Sequence, residues 1–108
     1  MINIIDDFII ELNSIIKIKS IDDILDYIFE CFDELLFIDN NSNLANEILK
    51  NIEVNKYDID ILIGFLTSIY PYKNKLDYYN IFYKKIKKYL SMTYGKDEIK
   101  NILWGLKD

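Results

Sequence analysis

Residues 58–70 read DIDILIGFLTSIY, and the placement of this stretch decides the fold. Spaced at about 100° per residue, it is apolar nearly all round, with Asp60, Gly64, Thr67 and Ser68 as its one small or polar strip. A helix apolar on every side belongs at the centre of its protein, because each side needs a covering neighbour. Asp58 suits the N-cap position. Pro71 is expected to stop the helix, since the residue before a proline disfavours helical geometry. Gly64 and Ser68, one turn apart, are expected to admit close approach of a neighbouring backbone rather than to form a functional groove.

The rest of the chain supplies amphipathic neighbours for such a centre. Residues 2–16 place Ile2, Ile5, Phe8, Ile9, Leu12, Ile15 and Ile16 on one side, with Asp6, Asp7, Asn13, Ser14 and Lys17 opposite. Ser20, followed by Asp22 and Asp23, predicts an N-cap and an acidic first turn for a second helix running to about Phe37. Its stripe is Ile21, Ile24, Leu25, Ile28, Phe32, Leu35 and Leu36; Cys31 sits at the edge as a buried, inert thiol. The run DNNSN (39–43) predicts a loop. A short third helix follows, with Leu44, Ile48, Leu49 and Ile52 inward. Residues 76–94 predict a fifth helix ended by Gly95, and Asp97 is expected to cap a sixth that carries Ile99, Ile102, Leu103 and Leu106.

Five to six helices with short connections, 3 glycines and 1 proline predict an all-α protein. The expected architecture is a compact antiparallel bundle or short stack of helical hairpins, forming a single domain over residues 1–108. The segments IDDFII, IDDILD and DIDILI resemble one another but recur at no regular period, so a repeat array is not expected.

Composition narrows the chemistry. No apolar run reaches the ~18–20 residues needed to cross a bilayer, and the first residues lack the basic region of a signal peptide. With one cysteine there is no internal disulfide, and a cytoplasmic location is expected. Histidine is absent, which removes the commonest general base and metal ligand. All 13 basic residues are lysine, and without arginine the bidentate reading of guanine or phosphate is lost. DNNSN lacks the glycine and terminal glutamate of a calcium loop. No catalytic residue, cofactor or metal site is assigned.

Charge is the remaining signal. Residues 1–69 hold fourteen acidic residues against four lysines, whereas residues 70–90 hold six lysines against Asp77 alone. On the second helix Asp22, Asp23, Asp26, Glu30, Asp33 and Glu34 share one face, a repulsive arrangement at i,i+4 spacing. That face is either solvated, with partial neutralisation inside the fold by Lys84 and Lys88, or it docks a basic partner. On the fifth helix Tyr79, Phe82, Tyr83, Ile86, Tyr89, Leu90 and Tyr94 fall on one side and Lys84, Lys85, Lys87 and Lys88 on the other. Most of these rings are therefore expected in the core with hydroxyls at the surface. That disfavours both a stacking platform for nucleic acid and a helix lying on a membrane.

The function expected is a small acidic, non-catalytic protein-binding module. In concrete form it is a neutralising protein of the immunity or inhibitor type that meets a basic partner. Asp22, Asp26, Glu30, Asp33, Lys84, Lys85, Lys88 and Trp104 are the candidate partner-binding residues. A self-associating subunit or adaptor is the alternative, and nucleic-acid binding through residues 76–94 a further one.

Overall fold

The central stretch finds its neighbours. The computed structural model describes residues 4–102. Its six α-helices are α1 (Ile4–Ile18), α2 (Ile21–Asp33), α3 (Ser42–Lys50), α4 (Ile59–Ile69), α5 (Tyr79–Tyr94) and α6 (Lys96–Ile102), and no strand occurs among the described residues. Ile2, Leu103, Trp104 and Leu106, and the side chain of Ile102, lie outside the described residues. The bundle is all-α, as the periodicities predict.

On α4, Ile61, Leu62, Gly64, Phe65, Leu66, Ser68 and Ile69 are all buried. The Phe65 ring is the junction of the core. It meets Phe8 of α1 at 6.5 Å, Phe32 of α2 at 6.0 Å, Phe82 of α5 at 6.4 Å and Tyr57 at 6.3 Å, always edge to face. This geometry sets the positive edge of one ring against the negative face of another, and each such pair is worth about 0.5–1.5 kcal/mol beyond area burial. Tyr57 then ties the junction outward by donating its hydroxyl to Asn13 Oδ1 of α1 at 3.0 Å. At Gly64 the close neighbour is the Leu25 side chain of α2 and not a backbone segment: a Cβ there would collide with Leu25 Cδ2. Ser68, buried one turn on, donates its hydroxyl to the Phe65 carbonyl.

Helix ends follow local chemistry, with four departures from expectation. First, α2 does not run as an α-helix to Phe37. It widens at Glu34 into a π-helical turn, Glu34–Ile38, and Asn40 then adopts φ +51°. The Asn41 N–H reaches back to the Leu35 carbonyl at 2.6 Å, so a left-handed asparagine closes the end. Asn41 Oδ1 in turn accepts from the Leu44 N–H and caps α3, which shortens the expected loop to three residues, 39–41.

Second, Pro71 does not stop the chain from coiling. Tyr70 is helical (φ −55°, ψ −44°), and a 3₁₀ helix, Tyr70–Lys75, carries straight through. Pro71 sits in the first turn of that helix, where a missing N–H breaks no intrahelical bond. Third, α5 begins at Tyr79 and not at Leu76. Leu76 is extended (φ −115°, ψ 106°) yet buried, and buried Asn46 of α3 accepts the Tyr78 N–H at 3.1 Å. Fourth, α6 starts immediately after Gly95, whose φ of +95° ends α5. Asp97 therefore lies in its first turn and not at its cap. The caps at Ser20 and Gly95 stand as read from the sequence. Asp58 holds N-cap geometry but makes no side-chain cap bond.

Phe65→Ala is expected to cost about 3–5 kcal/mol, the range for losing a buried aromatic ring, measured by urea unfolding followed through helical circular dichroism. Phe37→Ala, on the exposed π-helical turn, should change stability by less than about 0.5 kcal/mol.

Candidate interaction surface

Helix α2 is built to display carboxylates. Ser20 Oγ accepts from the Asp23 N–H at 3.3 Å, and Asp22 and Asp23 lie in the first turn, where the helix dipole favours them. Ile24, Ile28 and Phe32 are buried against the core. Asp22, Asp23, Asp26, Glu30, Asp33 and Glu34 are all exposed. The side chains therefore divide into a dry stripe and a charged ridge.

Among the described residues no lysine of α5 is paired with that ridge. Among the described residues the ion pairs are Lys50–Glu47 at 3.1 Å and Lys56–Glu53 at 3.0 Å, each three residues apart on an exposed surface. The expected compensation of α2 by Lys84 and Lys88 does not occur. Phe65 touches Phe32 of α2 and Phe82 of α5, so α4 stands between the two helices. Lys84, Lys85, Lys87 and Lys88 are exposed on α5, while Tyr79, Phe82, Tyr83, Ile86 and Leu90 are buried beneath them. Most of the aromatic face is core as expected, but Tyr89 is half-buried, Tyr94 at the end of the helix is exposed, and the Tyr79 hydroxyl is enclosed and does not reach the surface.

Each flank of the acidic ridge carries a groove. On the side towards α1 and α3, an open groove of about 540 Å³ has Phe8, Tyr27, Leu35, Leu44 and Ile48 among its walls. Asp7, Glu11, Glu34 and Asp39 stand round it, and no lysine among the described residues lines it. On the side towards α4, a depression of about 440 Å³ is walled by Ile21, Leu25, Phe29 and Ile63 over Gly64. Phe29 and Thr67 join it to a second depression of about 310 Å³ beside Glu30, Asp33, Pro71 and Tyr72. There the Tyr72 hydroxyl donates to Asp33 Oδ1 at 2.5 Å, which pins the 3₁₀ helix to the end of α2. The phenol is held above its usual pKa first by that bond, because ionisation would break it.

Cys31 opens onto the first groove and is half-buried, more accessible than the sequence suggests. Burial raises its pKa; the nearby Tyr27 hydroxyl, able to donate to the thiolate, opposes this, while Glu34, Glu30 and Glu11 raise it further. Tyr27, stacked on Phe8 at 5.7 Å, is also pushed well up, chiefly by burial. The thiol is therefore protonated and weakly nucleophilic at neutral pH.

The candidate residues thus separate. Asp22, Asp26, Glu30 and Asp33 lie together on the ridge, and Lys84, Lys85 and Lys88 together on another face. Trp104 lies outside the described residues. Sequence reading missed Asp7, Glu11 and Asp39 as parts of a shared site, and Phe29 as the wall between depressions. Asp7 and Glu11 are one turn apart, a spacing visible in the sequence, but their meeting with Tyr27 and Glu34 arises from helix packing.

Alkylation of Cys31 by iodoacetamide should be slower at pH 7 than in the urea-unfolded chain and should accelerate as pH rises. Glu34→Gln removes a charge that raises the thiol pKa and should speed alkylation. Tyr27→Phe removes the hydroxyl that lowers it and should slow alkylation. Rates measured by mass spectrometry check both signs. No protein-family model, curated protein or solved structure matches the chain.

Proposed function

We propose that this chain is a non-catalytic protein-binding module that docks a basic partner on the acidic ridge of α2, as a neutralising protein of the immunity or inhibitor type does. The observation that carries this reading is that the carboxylates of α2 form no ion pair with Lys84, Lys85 or Lys88, on a ridge flanked by apolar grooves. Like charges one turn apart on a helix cost it stability. A partner's lysines and arginines relieve that repulsion on binding, speed encounter and set register.

The grooves supply what charge alone lacks. Hot spots are apolar or aromatic anchors in desolvated pockets, ringed by polar groups that exclude water. Phe29, Ile21 and Leu25 on one flank, and Tyr27 and Leu35 on the other, offer such pockets beside the carboxylates. The partner surface that fits is a basic one with protruding aliphatic or aromatic side chains. Against catalysis stand the lack of histidine, a protonated Cys31, and carboxylates spread along a convex ridge.

Affinity capture from the native host at low salt, with the chain as bait, should recover a basic protein. Asp22→Lys, Asp26→Lys and Glu30→Lys combined should weaken that binding at least about 100-fold, several close charge pairs being lost, with helical circular dichroism unchanged. Asp33 is left intact because it anchors Tyr72. Unchanged affinity in the triple variant overturns the docking face.

A further inference from the structure

The lysine face of α5 is left unused by that reading. Ile81, Lys84, Lys85, Lys88 and Met92 recur at spacings of three, one, three and four along α5, which puts them on one side of the helix. All five are exposed, Ile81 at 57% and Met92 at 78%. The surface is therefore a cationic patch with an apolar residue at each end.

The acidic ridge of α2 is its complement in sign and in length. From Asp22 to Asp33 and from Ile81 to Met92 the chain advances eleven residues, about 16 Å of helix in both cases. Beside the ridge lies the depression holding Ile21 and Phe29, themselves partly exposed. We propose that the lysine face of α5 docks on the acidic ridge of α2 in a second copy of this chain. Lys84, Lys85 and Lys88 meet Asp22, Asp26 and Glu30, while Ile81 or Met92 reaches the apolar depression between α2 and α4.

Within one molecule this pairing is blocked, because α4 and Phe65 stand between α2 and α5. Two different faces on opposite sides of α4 make a heterologous, head-to-tail contact, which extends into chains or closes into a ring. The proposal rests on the same α2 ridge as the docking function. A basic partner and a second copy therefore compete for it, and assembly is the state that the partner disperses.

Sedimentation velocity over a range of protein concentrations tests this. At about 20 mM salt the mass should rise with concentration above the 12.9 kDa monomer, and at about 300 mM it should return to monomer, because the Debye length falls from roughly 20 Å to roughly 6 Å. Lys84→Glu, Lys85→Glu and Lys88→Glu combined, and Asp22→Lys, Asp26→Lys and Glu30→Lys combined, should each be monomeric alone while retaining the helical spectrum. Mixed in equal amounts, they should associate again, since every α5 then finds an α2 of opposite sign. A wild-type chain that stays monomeric at low salt, variants that associate as well as wild type, or a mixture that stays monomeric overturns the proposal. The α5 variant keeps its acidic ridge and should still capture the basic partner, so failure of self-assembly and failure of the docking function are read separately.

Discussion

The structure depends on where the Phe65 ring sits. A single side chain at the middle of α4 is in edge-to-face contact with rings from α1, α2, α5 and the segment before α4. Each edge-to-face pair draws one neighbouring element against the middle of α4. With α4 held at the centre, α2 and α5 are held apart. The distance between the acidic face of α2 and the lysine face of α5 follows from that placement.

Two oppositely charged helices that could have lain side by side are kept from touching. The carboxylates of α2 repel one another along their own helix, and no ion pair among the described residues joins them to the lysines of α5. Natural folds tolerate such local conflict where a surface serves binding. Here the conflict sits on a ridge between apolar grooves, a combination of long-range attraction and short-range burial that suits protein recognition. The weak nucleophilicity of Cys31 arises first from burial, and the acids around its groove add to the cost of the thiolate.

Much of this was legible in the chain before folding. The all-round apolar pattern of residues 58–70 places α4 at the centre, and the wheel of residues 76–94 separates core rings from surface lysines. Single residues with local preferences, Ser20 and Gly95, mark helix ends correctly. Failures came where tertiary contacts overrode local rules. Pro71 was tolerated within a coil because it fell in the first turn of a 3₁₀ helix. Leu76 was drawn into the core as extended chain while Asn46 received the Tyr78 N–H. The π-helical turn at Glu34–Ile38 has no period that a sequence scan detects. The grooves were illegible for a related reason: Asp7 is far in sequence from Glu34 and Asp39, and only packing of α1, α2 and α3 gathers them.

The central claim is that the fold holds its acidic and basic faces apart, so that charge works against the folded monomer. The direct measurement is the melting temperature against sodium chloride concentration, at protein levels low enough to keep the chain monomeric. If the ridge of α2 is unneutralised, screening relieves its self-repulsion, and the melting temperature should rise between about 10 and 300 mM salt, as the Debye length shrinks below roughly 10 Å. A melting temperature that falls over this range would mean that salt is breaking attractive pairs between α2 and α5, and would contradict the account.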